Sequence, residues 1–270
     1  MKDYLRQIVA SIQDNARARL VVREYVQARL LESLQDGGAF AHWAFVGGTA
    51  LRFLYSMRRF SEDLDFSLVR AGVADDFETL MAKAKRTFLS EDYTVSVKVK
   101  AARTVKSAMV RFEGLLAELN LSPHRSETIS VKVEIDTNPP EGATFETSVV
   151  RRHCLLNLQH YDKASLLAGK LHALLTRRYV KGRDVYDLLW YLSDRTWPEP
   201  NMVLLNNALA QTGWSGPRLN SDNWRRETAR HVRGYDFDKA AADAGPFLER
   251  PEDLALLTRE NLLRLLGERL

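Results

Sequence analysis

The N-terminal half of the chain mixes segments of helical and of strand periodicity. Apolar residues recur at helical spacing up to the Gly37-Gly38 pair, whereas Leu64, Phe66 and Leu68 alternate with polar residues as in a half-buried strand. The patterns predict helices at about 2–36, 49–58 and 74–89 and strands at about 40–46, 64–68, 93–99, 105–112 and 128–137. Helices and strands in this order predict an α/β region with a mixed sheet.

The C-terminal half has a different pattern. The segment Asn138-Pro139-Pro140-Glu141-Gly142 interrupts the strand pattern and is a candidate boundary loop. Beyond about residue 160 the apolar spacing is helical, with predicted helices at about 161–179, 184–193, 201–211, 221–232, 235–243 and 251–269. We therefore predict an α/β domain with N-terminal helices over residues 1–150 and an all-helical domain over residues 151–270.

Composition narrows the class of protein. The formal net charge of +4 fits either an ordinary charged surface or attraction to a polyanion such as nucleic acid. A single cysteine, Cys154, cannot form an intrachain disulfide and fits a reducing compartment. No segment approaches the roughly 18 apolar residues of a membrane span, and the N-terminus lacks the apolar stretch of a signal peptide. We predict a cytoplasmic protein without a membrane partner.

Two aspartates that alternate with Leu64 and Phe66 in the strand pattern, Asp63 and Asp65, are the first candidates for chemistry. Side chains two apart on a strand share a face, so Asp63 and Asp65 point together. Mg²⁺ prefers such hard oxygen ligands and takes one or two carboxylates plus substrate phosphates, although a solvated strand face would look the same. Gly47-Gly48-Thr49 lies between a predicted strand and helix, where backbone N–H groups can approach a phosphate. A tight turn is the alternative explanation of the glycines.

These residues carry a resemblance to a known family. Gly47-Gly48-Thr49-Ala50-Leu51 followed by Arg59-Phe60-Ser61-Glu62-Asp63-Leu64-Asp65-Phe66 resembles the AbiEii/AbiGii-type toxin nucleotidyltransferases, including the MenT-like toxins. They belong to the DNA polymerase β-like nucleotidyltransferase superfamily, which implies that fold for the α/β domain. The spacing between glycines and aspartates is longer here than is usual in the wider superfamily.

The resemblance also implies a third acidic residue on a later strand. Glu134 and Asp136 share a face of the predicted strand at 128–137, so either could complete a metal site with Asp63 and Asp65. We favour Glu134, because Asp136 is close to the Pro-Pro loop. A salt-bridged surface strand is the alternative for both residues.

A second motif lies in the helical half. Lys170 falls at the margin of an apolar helix face, where a lysine must either extend to solvent or meet an anion. Asp184 could be a helix N-cap with Asp187 completing a capping pair. Lys170-Leu171-His172-Ala173-Leu174-Leu175 and Arg183-Asp184-Val185-Tyr186-Asp187-Leu188 resemble the family's helical-domain motif. The resemblance implies that Lys170 binds nucleotide phosphates and Asp184 is an active-site residue, with Asp187 in support.

The remaining candidates lie near the first motif. In the resembling toxins the position of Ser61 is in the active site and can itself be modified, although this serine could simply begin the strand. Arg52, Arg58 and Arg59 are candidate contacts for triphosphate or RNA backbone, with solvated arginines as the alternative. The histidines and the cysteine have no zinc-ligand spacing.

The resemblance implies a Mg²⁺-dependent nucleotidyltransferase toxin with a cognate antitoxin. Asp63, Asp65, Lys170 and Asp184 would be catalytic, and Gly47-Gly48-Thr49, Ser61 and Arg52 would bind the nucleotide. The enzyme would transfer a nucleoside monophosphate from an NTP to a hydroxyl, with a tRNA 3′ end as the first candidate acceptor, which would block translation. Alternatives are transfer to a small molecule or protein, and a catalytically inactive nucleic-acid-binding or regulatory module.

Overall fold

One mixed sheet runs through the N-terminal half of the protein. The computed structural model describes residues 2–268, and within them seven strands pair in the order β3-β4-β5-β2-β1-β7-β6. Strand β1 is antiparallel to β2 and parallel to β7, β2 is parallel to β5, and β4 is antiparallel to both β3 and β5. The strands are β1 Trp43–Val46, β2 Leu64–Leu68, β3 Val95–Lys100, β4 Val105–Glu113, β5 Thr128–Asp136, β6 Phe145–Arg152 and β7 Cys154–Tyr161.

The centre of the sheet is buried by large apolar side chains. Phe45 and Phe66 are register partners on β1 and β2, and their ring centroids lie 5.4 Å apart. Trp43 packs on Phe66 at 5.2 Å and on Phe77 at 5.8 Å. Burial of aromatic side chains is a large stabilising contribution, so β1 and β2 are firmly held near the candidate aspartates.

Five helices accompany the sheet along the sequence up to residue 136. The single predicted segment at 2–36 is two helices, because Asp14 is an N-cap whose side chain accepts a hydrogen bond from the Ala16 N–H at 2.9 Å. The helices are α1 Lys2–Ala10, α2 Asn15–Asp36, α3 Gly47–Tyr55, α4 Phe77–Ser90 and α5 Leu115–Glu118. Helix α3 therefore begins immediately after β1, at the first glycine of the predicted phosphate turn.

Strands β6 and β7 are the main departure from the predicted elements. The sequence predicted no strand between residues 138 and 160. In the structure β7 joins the sheet beside β1, with Phe45 opposite His160, and β6 is the edge strand next to it. On the edge strand β6, Val149 is 70% exposed, so β6 has little apolar signal. Strand β7 does alternate buried Leu156 and Leu158 with more exposed neighbours, a short strand pattern that the predicted elements leave out.

The C-terminal part is helical, as predicted. Helix α7 packs against α6, α10 and α11, and α6 packs against α8. The predicted terminal helix at 251–269 is wrong as one element: Pro251–Leu256 is a 3₁₀ segment, and α11 starts after Thr258, whose hydroxyl caps Asn261 N–H at 3.1 Å. The end of that prediction, residue 269, lies outside the described residues. The helices are α6 Lys163–Thr176, α7 Gly182–Ser193, α8 Met202–Gln211, α9 Trp224–Arg233, α10 Phe237–Ala244 and α11 Arg259–Leu265.

The chain divides into two compact units that do not follow one cut in the sequence. The first unit contains residues up to Tyr55, Phe60–Pro139 and Thr147–His160, and the second contains Ser56–Arg59, Pro140–Glu146 and the chain from Tyr161 onward. The boundary between residues 150 and 151 stays a prediction. None of the helices in residues 2–268 has both the length and the apolar character needed to cross a membrane.

Candidate active site

Gly47 and Asp65 lie against each other in the first unit. Val46, the last residue of β1, is the register partner of Asp65 on β2, so the start of α3 faces the aspartate. Gly47 has φ +80°, and a Cβ at this position would collide with Asp65 Oδ2 and lie 3.1 Å from Asp65 Cβ and Cγ. Glycine is therefore required here both by the backbone conformation and by the space that the carboxylate occupies.

Thr49 fixes the neighbouring aspartate through its backbone. The Thr49 side chain is fully buried, and its hydroxyl donates a hydrogen bond to the carbonyl oxygen of Asp63. Gly48 is buried as well. The sequence predicted that Thr49 and Gly48 bind the nucleotide, but the structure engages the threonine hydroxyl with Asp63. The threonine holds the strand entry that carries both aspartates.

The strand register separates the two candidates for the third acid. Asp65 on β2 is the parallel partner of Glu134 on β5, whereas Asp136 is the partner of Ser67. Asp136 Oδ1 also accepts a hydrogen bond from Asn138 N–H at 2.9 Å, which engages it in the turn after β5. The geometry favours Glu134 as the acid beside Asp65.

Lys132 sits among these carboxylates. Its Nζ lies 2.7 Å from Glu134 Oε1. Partial burial opposes the charge of Lys132, but Glu134, Asp63 and Asp65 together raise its pKa. The lysine therefore stays protonated and partly neutralises the acidic group.

The predicted three-carboxylate metal site is not assembled in this arrangement. Within residues 2–268, no group of three or more His, Cys, Asp or Glu side chains is close enough to hold a metal ion. The ion pair with Lys132 engages Glu134 instead. Asp63 and Asp65 remain the candidate ligand pair, which suits Mg²⁺ because that ion commonly takes one or two carboxylates and completes its shell with water and phosphate.

Arg52 belongs to a buried ion network. Its side chain is 2% exposed, pairs with Glu24 and stacks on Phe60 with 3.9 Å between the guanidinium carbon and the ring centroid. Glu24 also meets Arg152 Nε at 3.0 Å and His153 Nε2 at 3.3 Å. Burial opposes the charge of Glu24, but these partners lower its pKa from 4.5 to about 2. The burial of Arg52 counts against its predicted role as a nucleotide contact.

Ser61 lies two residues before Asp63 in a half-buried position. Its carbonyl oxygen accepts a hydrogen bond from Gln27 Nε2 at 3.1 Å, which fixes the chain ahead of β2. Glu62 next to it pairs with Arg23 at 3.0 Å. The roles of Ser61 in nucleotide binding and as a modification site stay predictions.

The second unit contains a buried cluster around Lys170. Lys170 Nζ lies 2.7 Å from Asp187 Oδ2 and 3.1 Å from Asp184 Oδ1. Asp187 also receives two hydrogen bonds from Arg59, from Nε at 2.5 Å and Nη2 at 2.6 Å, and Asp184 pairs with Arg177. We call these five residues, Arg59, Lys170, Arg177, Asp184 and Asp187, the lysine cluster. Its three cations and two carboxylates give it a net charge of +1.

The lysine cluster corrects three sequence interpretations. Asp184 is not an N-cap, because the N-cap of α7 is Lys181 and the Asp184 carboxylate accepts from Lys170 and Arg177 instead. Arg59 is not a solvent-facing phosphate contact, since its side chain is 3% exposed. Asp187 does more than support a loop, because it binds both Arg59 and Lys170.

The electrostatics of the lysine cluster fix its protonation states. Burial opposes the charge of Lys170, but Asp187 and Asp184 raise its pKa. Burial likewise opposes the charge of Asp187, and Arg59 and Lys170 lower its pKa. Burial also disfavours the charge of Asp184, whose pKa is lowered by Lys170 and Arg177. Lys170 is thus a cation at neutral pH that is held by two carboxylates.

Comparison with known families decides the class of protein. The model of the family described as "Nucleotidyl transferase AbiEii toxin, Type IV TA system" matches residues 29–258. This span covers most of the 270 residues. The chain belongs to this family. It is therefore an AbiEii nucleotidyltransferase toxin of the type IV toxin–antitoxin class, and the resemblance found in the sequence is confirmed.

Solved structures agree with the AbiEii fold. MenT4, the nucleotidyltransferase toxin Rv2826c from Mycobacterium tuberculosis H37Rv, is similar with a TM-score of 0.62 and 16% identity, over 100% of this chain and 90% of that one. JHP933 from Helicobacter pylori is similar with a TM-score of 0.56 and 19% identity, over 92% and 90%. At these identities the likeness shows the fold alone, and it confirms the predicted nucleotidyltransferase architecture. No curated protein sequence gives a significant match.

Sequence reasoning missed one residue of this AbiEii chain, Lys132, and gave the wrong partners to two others, Asp187 and Arg59. Lys132 could have been found, since it lies two residues before Glu134 on a strand and opposite charges on one face attract. Asp187 was noticed, but only as a capping residue. Arg59 had no local signal for its partner, because Asp187 is 128 residues away in the sequence.

Proposed function

We propose that this AbiEii chain is a Mg²⁺-dependent enzyme that transfers a nucleoside monophosphate from an NTP to the 3′-terminal hydroxyl of an RNA, with tRNA as the first candidate. The observation that carries the proposal is the way the first motif holds its own aspartates. Gly47 leaves room for the Asp65 carboxylate, and Thr49 fixes the Asp63 backbone. A simple tight turn would not need the glycine and threonine to meet the aspartates.

Asp63 and Asp65 would hold the metal, and Glu134 is the candidate to join them. The hard oxygen donors suit Mg²⁺, and Gly47 keeps one side of Asp65 free of a Cβ. Bound there, Mg²⁺ would supply charge stabilisation on the phosphates of the NTP. Lys132 would have to release Glu134 before the glutamate could take part, because the two side chains are paired at 2.7 Å.

Lys170 would neutralise the charge that develops on the leaving pyrophosphate. The acceptor hydroxyl gives up its proton to solvent, and its oxygen forms a bond to the α-phosphorus while the bond from that phosphorus to the bridging oxygen breaks. Pyrophosphate leaves with the electron pair. A preorganised cation at the developing charge lowers such a barrier without reorganising solvent. Asp184 and Asp187 would position the ammonium group, because both contact it directly.

An RNA acceptor and a cognate antitoxin follow from the kind of toxin that the motifs resemble. In the MenT-like toxins the acceptor is a tRNA 3′ end, and the positive net charge of +4 suits a polyanionic acceptor. Translation occurs in the cytoplasm, so a toxin with this target would act there. The antitoxin partner belongs to the system that the family description names.

The test is transfer of label from NTP to RNA. Purified protein is incubated with Mg²⁺, each of the four labelled NTPs in turn, and total tRNA. We expect labelled tRNA with at least one NTP, and loss of labelling by Asp65→Asn or by a chelator. Asp136→Asn is the matched control, because it removes the carboxylate two residues after Glu134 on the same strand, β5. This variant should retain activity.

Two outcomes would overturn this proposal. If none of the four NTPs labels tRNA, the tRNA-acceptor reaction is excluded, and label on the protein itself would identify a protein acceptor. If Asp65→Asn labels tRNA as well as the wild type does, the aspartate pair is not the metal site.

A further inference from the structure

The connection between α6 and α7 presents an exposed aromatic ring among cations. Residues 177–181, Arg-Arg-Tyr-Val-Lys, join the end of α6 at Thr176 to the start of α7 at Gly182. Tyr179 is 69% exposed, and Arg178 beside it is exposed as well. Exposed large aromatic side chains have no role in the core, so this ring is available to a partner.

The surrounding segment is strongly basic. Between Asp162 and Asp184 the sequence has six lysines and arginines and no acidic residue. This part of the second unit attracts anions.

The basic connection adjoins the lysine cluster. Arg177 pairs with Asp184, and both residues line one small cavity together with Tyr179 and Lys181. The exposed tyrosine therefore lies at the edge of the group that includes Lys170. A ligand resting on Tyr179 would be next to the residues proposed to act on phosphates.

We propose that the connection 177–181 binds the single-stranded 3′ end of the RNA acceptor, with Tyr179 stacking on a base and Arg178 and Lys181 contacting its phosphates. This inference rests on the proposed function. Aromatic rings beside cations are the usual platform for single-stranded nucleic acid, because every base has a face to stack and every nucleotide a phosphate. The base of an NTP would instead be expected in an enclosed pocket, since small ligands bury most of their surface.

The first measurement is RNA binding without catalysis. A fluorescently labelled hairpin with a short single-stranded 3′ end is titrated with protein in a chelator, and anisotropy is recorded. Tyr179→Ala should weaken binding about tenfold, which is within the range for loss of one stacked base. Tyr179→Phe keeps the ring and should bind like the wild type. Tyr4→Ala is the matched control, because Tyr4 is an exposed tyrosine of the first unit.

The second measurement separates the two substrates during turnover. Tyr179→Ala should raise KM for RNA about tenfold and leave KM for the NTP unchanged. A blunt hairpin without the 3′ extension should bind wild type and variant equally.

Several results would overturn the inference. If the wild type labels RNA but Tyr179→Ala has an unchanged KM for RNA, the stacking role is wrong while the proposed function stands. If KM for the NTP rises instead, the ring binds the nucleotide base. If the wild type fails to bind the hairpin at all, the RNA site is absent, and labelling of another acceptor would show whether the transferase activity remains.

Discussion

Substituting alanine for Gly47 should damage the active site more than it damages the fold. The new Cβ would occupy the space of the Asp65 carboxylate, with Oδ2 in collision and Asp65 Cβ and Cγ at 3.1 Å. Because two of the three atoms are not at the far end of the side chain, rotating the carboxylate alone does not relieve the contact. The aspartate must turn away from its position or the start of α3 must shift.

The expected loss of stability in Gly47→Ala has two parts, which a control variant can separate. A non-glycine residue at φ +80° costs about 1–2 kcal/mol, because the left-handed region crowds its Cβ. Forcing Asp65 off its rotamer adds about 0.5–1.5 kcal/mol. Gly72 has φ +82° and no atom within 4 Å of the position where a Cβ would lie, so Gly72→Ala should show only the backbone cost.

The assay compares stability and activity in the two variants. Urea denaturation should show Gly72→Ala destabilised by about 1–2 kcal/mol and Gly47→Ala by up to about 3.5 kcal/mol. Nucleotide transfer should fall about a hundredfold only in Gly47→Ala, which is the typical loss when a catalytic group moves by about 1 Å. Mg²⁺ affinity measured by calorimetry should fall in the same variant.

One result would refute the reasoning. If Gly47→Ala and Gly72→Ala fold equally well and both keep full activity, the contact with Asp65 does not matter for the chemistry. The glycine would then serve the turn alone, and the aspartate pair would lose its main structural support as a metal site.

Three further perturbations test the charged groups of the two units. Asp187→Asn leaves Arg59 and Lys170 undercompensated in the interior and should lower the free energy of unfolding by about 3–5 kcal/mol in urea denaturation. Folding lowers the pKa of Glu24 from 4.5 to about 2. The charged carboxylate therefore adds about 3 kcal/mol to the free energy of unfolding above pH 4.5, and this contribution is lost as the pH falls from 4.5 to 2. The stability difference between wild type and Glu24→Gln should therefore shrink over that range of pH. Lys132→Gln should tighten Mg²⁺ binding by roughly fifteenfold, because a lysine charge about 5 Å from a divalent ion in water costs about 1.7 kcal/mol.

Each of these predictions has a control and a contrary outcome. Glu260→Gln is the control for Asp187→Asn: it removes an exposed partner of Arg264 and should lower the free energy of unfolding by less than about 1 kcal/mol. If Asp187→Asn loses no more stability than this control, the argument from burial is contradicted. A pH-independent difference for Glu24→Gln would mean that Glu24 does not keep its low pKa. Lys100→Met changes an exposed lysine of β3 and is the control, which should leave Mg²⁺ affinity unchanged. If Lys132→Gln also leaves Mg²⁺ affinity unchanged, Lys132 does not compete with the metal.

The fold was predictable where local pattern and burial coincide. Strand β2 places the less buried Asp65 between buried Leu64 and Phe66, so its period of two was visible in the sequence. Strands β6 and β7 were not predicted: β7 pairs with β1, a strand more than a hundred residues earlier, and β6 takes its place at the edge beside β7. Backbone hydrogen bonds to a distant strand leave little trace in a local apolar pattern.

The glycine and aspartate part of the candidate site was predictable for the same physical reason, whereas the prediction failed for the arginines. Gly47 meets Asp65 because β1 and β2 are neighbours in the sequence as well as in the sheet. The partners of Arg52 and Arg59 lie 28 and 128 residues away, at Glu24 and Asp187. Since arginines look alike in a sequence, only the fold distinguishes a buried ion pair from a phosphate contact.

The proposed metal ligands lie in the first unit and the proposed phosphate-binding cations in the second, so experiments can test the two groups separately. In the first unit three carboxylates act on Lys132, which is an environment for a divalent cation. In the second unit the lysine cluster carries a net positive charge beside a basic connection, which is an environment for phosphates. Because these groups are built within separate units, Asp65→Asn should remove Mg²⁺ binding and leave RNA anisotropy unchanged. Tyr179→Ala should do the opposite.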